Sequence, residues 1–276
     1  IPQLFIPIAG QFSSPENKAR NMGYVLSGLL IGILTARVVS GYVGNWLGWR
    51  AMFLIASAVM IVSCLISVRI MPDMKSNFQG NYRSLMRSIL RIIAAHPHIR
   101  LNSIRAAFGF GSMLSIWACL AFHLGQAPFY AGSNMVGMLG LCGILGAVAA
   151  SGVGKYIPQY GIGNFSITGA ILQIIGWAIA FFFGNSYPGL AISIVIIDVG
   201  LQCQQLSNQS GCIQEIPQAS NRVNTIFMTT YFIGGSLGTF LAGWGWKLAE
   251  WTGVCAMGAG MAVISLVISL ASIHKE

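Results

Sequence analysis

The sequence predicts an all-α, polytopic membrane protein with about eight complete transmembrane helices and part of another. Charged residues make up 8% of the 276 and hydrophobic ones 55%, with a mean hydropathy of +0.71, a balance no soluble domain needs to fill its core. Apolar runs of about 18 to 25 residues recur along the chain, the length a helix needs to cross a hydrocarbon layer of about 30 Å. No segment shows the alternation over about 10 residues that marks a transmembrane strand.

Helices are expected at residues 1–12 (incomplete), 22–45, 50–71, 101–124, 130–152, 164–184, 188–210, 223–246 and 251–273. The breaks between them (GNWLGW, GQAPFYAGSN, KYIPQYGIGN, GNSYPG, EIPQASNR) are rich in Gly, Pro, Asn and Ser, which favour turns over helix. The long polar stretch 71–100 reads as a connector that lies on lipid headgroups and contains a basic amphipathic helix over 82–95. The chain begins IPQLFIPIAG, without the charged stretch of a signal peptide, so its start is expected to be internal to a longer sequence.

The net charge of +9 does not indicate nucleic acid, because the basic residues sit at helix ends and in one loop without interleaved aromatics. They indicate orientation. Lys18, Arg20, Arg69, Lys75, Arg83, Arg87, Arg91, Arg100, Arg105, Lys155, Arg222 and Lys275 fall on one side of the predicted spans, against Arg50 and Lys247 on the other. The first side is therefore expected to be cytoplasmic, with the C-terminus inside. The six cysteines lie mostly in apolar segments without C-x-x-C spacing and read as small packing residues.

Sliding the chain by 202 residues pairs Pro15 with Pro217, Arg20 with Arg222, Gly32 with Gly234, Gly41 with Gly243 and Trp49 with Trp251 without a gap. This is the signature of a duplication. It divides the chain into 1–71 (the end of a first six-helix half), 72–100 (a cytoplasmic linker) and 101–276 (a second half), and the repeat implies further helices upstream.

Two parallel halves joined by a basic loop, with PENKARNMGYVLSGLLIGILTARVVSGYVGNWLGWRAMF and RVNTIFMTTYFIGGSLGTFLAGWGW starting matching helices, resemble the major facilitator superfamily and, within it, bacterial drug or metabolite efflux carriers. The resemblance implies helices four (part) to twelve of a twelve-helix secondary transporter of the inner membrane. It also implies alternating access, a small organic substrate, proton antiport, a monomer in the lipid bilayer and no cofactor. The Gly-Pro pair common in helix five of such antiporters is absent, and Pro158 stands where an acidic residue is usual after helix eight.

Ionisable groups deep in a membrane are costly and mark function, and the two that qualify are Asp198 and Arg37. Asp198 opens the series Asp198, Gln202, Gln205 and Gln209, whose spacing puts all four on one helix face, toward a cavity or another helix. Counting at 1.5 Å per residue sets Arg37 about 12 Å and Asp198 about 14 Å below the same surface. They are therefore expected to face each other, Asp198 as the proton or cation site and Arg37 as its counter-charge or the partner of an anionic substrate group. Arg37 has a Thr at its repeat position, 239, so the charge is an addition to the duplicated scaffold. The alternative for Arg37 is to snorkel outward.

Gly28 and Gly32, Gly137, Gly140, Gly143 and Gly146, and Gly234 with Gly238 form small-residue stripes expected at close helix contacts on which the halves rock. Arg37 points well away from Gly28 and Gly32 and is not expected in their seam. Arg105, Lys155 and Glu250, near helix ends, are expected to reach water, and His123 and Trp117 read as interfacial residues. No phosphate loop, metal-ligand spacing or paired nucleophile and base is present in the sequence, so neither an enzyme nor a metal site is expected. Two alternatives remain: an inactive remnant of a transporter, or a membrane sensor on the same fold.

Overall fold

The computed structural model describes residues 17–71, 81–143 and 159–272, together with Ile8, Phe12, Ser13 and Leu145. Among them no strand occurs, as the absence of alternation predicts. Helix α1 (Lys18–Leu47) ends at Gly48, whose φ of 80° turns the chain directly into α2 (Trp49–Ile70). The short α3 (Tyr82–Ala95) stops ahead of Pro97, which disfavours helical geometry at His96 and opens α4 (Pro97–Leu124) from its first turn. Next come α5 (Ser133–Gly140), α6 (Ile162–Phe183) and α7 (Tyr187–Glu215). The hydroxyl of Ser186 caps α7 by accepting from the Gly189 N–H at 3.2 Å.

The last helical segment, α8 (Ser220–Ser272), has 53 residues, about 80 Å at 1.5 Å per residue and far too long for one crossing. It is two helices, because Ala249 and Glu250 leave helical geometry. Gly234 and Gly238 of the first arm approach Ala107 and Gly111, while Met261 and Ser265 of the second arm meet Gly111 and Arg105 in the opposite order. The chain thus folds back on itself, with α4 against both arms.

Most expected helices are present within a few residues of their predicted ends. The helix expected over 130–152 is different: Leu141 and Cys142 form a turn after Gly140. Glycines at 137, 140 and 143 each weaken a helix by about 1 kcal/mol relative to alanine, which accounts for the interruption. The expected helix over 1–12, Gly146, Lys155 and Pro158 lie outside the described residues, except for Ile8 and Phe12.

Around α4 the interior is polar as well as apolar. Gln204 Nε2 donates to Gln173 Oε1 at 2.8 Å, Gln173 Nε2 donates to the Gly109 carbonyl at 2.9 Å, and Ser265 Oγ lies 2.6 Å from Gln204 Oε1. Trp177 Nε1 donates to Ser112 Oγ, which donates to the Gly258 carbonyl. In hydrocarbon such groups must find partners within the protein, and here they join α4, α6, α7 and the second arm of α8. Gln204→Leu strips Gln173 Oε1 and Ser265 of a partner and should cost about 1–2 kcal/mol, measured as a lower thermal-unfolding midpoint in detergent.

The expectation that Arg105 reaches water is overturned: it is 0% exposed. Its guanidinium donates to Ser272 Oγ at 3.0 Å and to Asn102 Oδ1. Distance from the helix end misled because α4 is surrounded by other helices at this level, so its side chains have no outward route. Glu250 does lie at the reversal between the arms of α8, in an exposed position.

Candidate functional site

The site starts where α1 crosses α5. A Cβ at Gly41 would lie 2.8 Å from the Ser133 carbonyl oxygen and 3.1 Å from the Gly137 Cα, and one at Gly137 would lie 2.7 Å from the Arg37 carbonyl oxygen. Backbones meet here only because neither helix carries a side chain at the crossing. Ser133 Oγ, donating to the Gly41 carbonyl at 2.9 Å, pins the contact. Gly28 and Gly32 stand apart: a Cβ at either would meet nothing within 4 Å. Among the described residues the close contact on α1 falls at Gly41, on the face that carries Arg37.

The crossing puts Arg37 along the glycine stripe of α5. Its Cβ and Cδ would each be 3.0 Å from a Cβ at Gly140, so the aliphatic stem fills the groove that Gly140 leaves open. Its Nη1 would be 3.0 Å from a Cβ at Gly143, and that same position is 3.5 Å from Asp198 Oδ2. The two charges approach each other across a gap that one methyl group would fill. They do not close it: among the described residues the ion pair is that of His96 with Glu215, at 3.4 Å. The guanidinium instead lies over Trp117 of α4, 4.2 Å from the ring centroid, a cation–π contact that holds it without neutralising it.

Asp198 is 8% exposed. The Trp117 indole lies close to its carboxylate, and Trp117 Nε1 is buried without a hydrogen-bond partner among the described residues. Cys142 and Tyr231 also feel the Asp198 charge. Tyr231, on the first arm of α8, donates its hydroxyl to Gln205 Oε1 at 2.9 Å and stacks on Phe110 with centroids 4.0 Å apart. Gln209 Nε2 donates to Asn224 Oδ1 at 2.8 Å, and Gln202 is half-buried. Gln205 and Gln209 therefore bond to α8, whereas Asp198 faces Arg37.

Beside Arg37 is a cavity of about 190 Å³, lined by Ser40, Gly41, Trp117, Ala121 and Ser133. Its volume is enough for several waters or a small ligand group, at about 30 Å³ per water. His123 turns inward at the far end of α4, stacked on Trp251 with centroids 4.0 Å apart, its Nε2 2.9 Å from the Gly184 carbonyl. It anchors helix ends and does not line this cavity. Cys142 and Tyr231 escaped the sequence reading, since a thiol and a phenol inside apolar runs look like packing residues. Among the described residues no three metal-ligating side chains cluster.

Gly143→Ala places its methyl between the two charges, where only the mobile tip of Arg37 has to yield. The variant should keep its thermal-unfolding midpoint while transport falls about tenfold, measured as substrate exchange in vesicles; one displaced charge contact of about 1.4 kcal/mol corresponds to that factor.

The Major Facilitator Superfamily model matches residues 3–239. The chain is similar to the Uncharacterized transporter YgaY of Escherichia coli O157:H7, with 31% identity over all of this chain and 70% of that protein. It is also similar to the Uncharacterized MFS-type transporter YybF of Bacillus subtilis strain 168, with 21% identity over 98% of this chain and 66% of that protein. The Inner membrane transport protein YnfM of Escherichia coli strain K12 shares 22% identity over 92% of this chain and 61% of its own length. The family match over most of the chain and the 31% identity to a transporter show that the chain belongs to the Major Facilitator Superfamily of membrane transporters.

Proposed function

We propose that this transporter exports a small organic compound in exchange for protons by alternating access, with Asp198 carrying the proton and Arg37 as its counter-charge. The observation that carries this reading is the open contact across Gly143: two opposite charges sit close without forming a closed pair. A buried carboxylate that loses its counter-charge must take up a proton or find another cation. A guanidinium balanced between Trp117 and Asp198 can therefore make proton occupancy depend on the position of α1 relative to α5. The side-chain-free crossing at Gly41 and Gly137, with Gly140 and Gly143 beyond it, allows that sliding, and Gly234 and Gly238 do the same between α4 and α8. Gln202, one turn from Asp198, offers a neutral hydrogen-bonding group for the substrate, and Gln205 and Gln209 would join it by exchanging their bonds to Tyr231 and Asn224.

In this reading residues 1–71 end the first half, 72–100 link the halves at the cytoplasmic side and 101–276 form the second, monomeric and in the inner membrane with the C-terminus inside. The name of YnfM supports that location. The test uses the full-length protein in inside-out vesicles with an imposed pH gradient and a panel of organic cations, anions and neutral aromatics. A transported compound should dissipate the gradient in proportion to its uptake. Uptake of a compound with no accompanying proton movement would overturn the antiport reading.

A further inference from the structure

Helix α3 presents one broad apolar face beside a basic one, and its side chains fall into three sets. Ile89, Ile92 and Ile93 pack toward the core. Arg83, Arg87 and Arg91, four residues apart, form the second set, a stripe on one face. Tyr82, Met86 and Leu90 form a third, apolar and exposed to 70%, 37% and 66%.

The arginine stripe, with Asn81, Ser84 and Ser88, lines a recess of about 380 Å³. A fourth arginine comes from another element: Arg222, at the start of α8, donates from Nη1 to Ser88 Oγ at 3.2 Å. None of these four arginines pairs with a carboxylate among the described residues. Three like charges lining one recess, with a fourth bonded to its Ser88, repel one another and are destabilising when left unneutralised. Guanidinium forks match the oxygens of a phosphate in bidentate fashion.

We infer that this recess binds the phosphate of an anionic phospholipid, with the acyl chains lying along Tyr82, Met86 and Leu90. The apolar stripe decides between a lipid and a soluble phosphate. A free anion gives those three side chains nothing to contact, whereas a lipid supplies charge and hydrocarbon at the spacing the helix presents. The bound lipid joins the connector helix to the first turn of α8, so it bridges the linker and the second half. This site is separate from the Arg37–Asp198 contact and does not depend on the antiport reading.

The test titrates the full chain, purified in a non-ionic detergent, with phosphatidylglycerol or phosphatidylcholine and counts bound lipids by native mass spectrometry. Phosphatidylglycerol should bind at least about tenfold more tightly, and R87Q/R91Q should lower that affinity about thirtyfold. R222Q alone should lower it several-fold, and R87K/R91K should retain most of it. R69Q, which removes a charge in the last turn of α2 that does not line the recess, should leave it unchanged. Equal affinity for the two lipids overturns the inference, as does an R69Q loss matching that of R222Q. Displacement of phosphatidylglycerol by inorganic phosphate at the same concentration would reassign the recess to a soluble anion. If R87Q/R91Q fails to fold, R222Q and R87K/R91K still decide.

Discussion

Asp198→Asn should abolish proton-driven transport while leaving proton-independent exchange of substrate across the membrane within about tenfold of the native rate. Asparagine has the shape of a protonated aspartate and cannot exchange its proton. The substitution therefore fixes the neutral state of the site without opening a cavity or leaving a charge unpaired. The gradient can no longer be coupled, but the helices can still cycle with substrate bound on both strokes. Driven uptake in inside-out vesicles should fall at least about a hundredfold, the scale on which losing a positioned proton-transfer group acts. Equilibrium exchange of labelled substrate provides the control. Arg37→Gln should fail differently: the buried carboxylate then has no counter-charge and stays protonated, so driven transport falls even though Asp198 is intact. If Asp198→Asn retains driven transport, the carboxylate does not carry the proton.

Gly238→Val should lower the thermal-unfolding midpoint by about 6–12 °C. A Cβ at Gly238 would lie 2.5 Å from the Gly111 Cα and would run into the Gly111 carbonyl, so two backbones would have to separate. Overpacking of this kind costs about 3 kcal/mol, which at about 2–4 °C per kcal/mol for a chain of this size gives the expected drop. Separation would also disturb Ser115 Oγ, which lies 3.1 Å from the Gly238 carbonyl. Gly243→Val is the matched control, because a Cβ there meets nothing within 4 Å. Equal shifts for the two variants would mean that the α4–α8 crossing is not held by close backbone contact.

Much of the fold was legible because its causes are local. Apolar length indicated the spans, the Gly- and Asn-containing break GNWLGW marked the turn at Gly48, and the basic amphipathic pattern over 82–95 outlined α3 with the bounds the structure has, whereas α4 begins at Pro97, four residues before its expected start. The turn at Leu141 and Cys142 was missed because an apolar run looks continuous even where three glycines weaken it. Arg105 was misread for a related reason: distance from a helix end measures depth, but which neighbours enclose a side chain depends on packing.

The candidate site divides in the same way. Counting residues set Arg37 and Asp198 at similar depth, and their chemistry marked them as costly and therefore purposeful. Depth does not determine azimuth. Only the packed structure shows that α1 meets α5 at Gly41 and Gly137, which directs Arg37 along Gly140 to the gap at Gly143 and over Trp117. The sequence alone determined the lipid-soluble helices and singled out Asp198 and Arg37 inside them, because both are written in local composition and period. Tertiary structure alone decided which faces meet, since a helix surface of small and apolar residues offers several nearly equal crossings and close backbone packing selects among them.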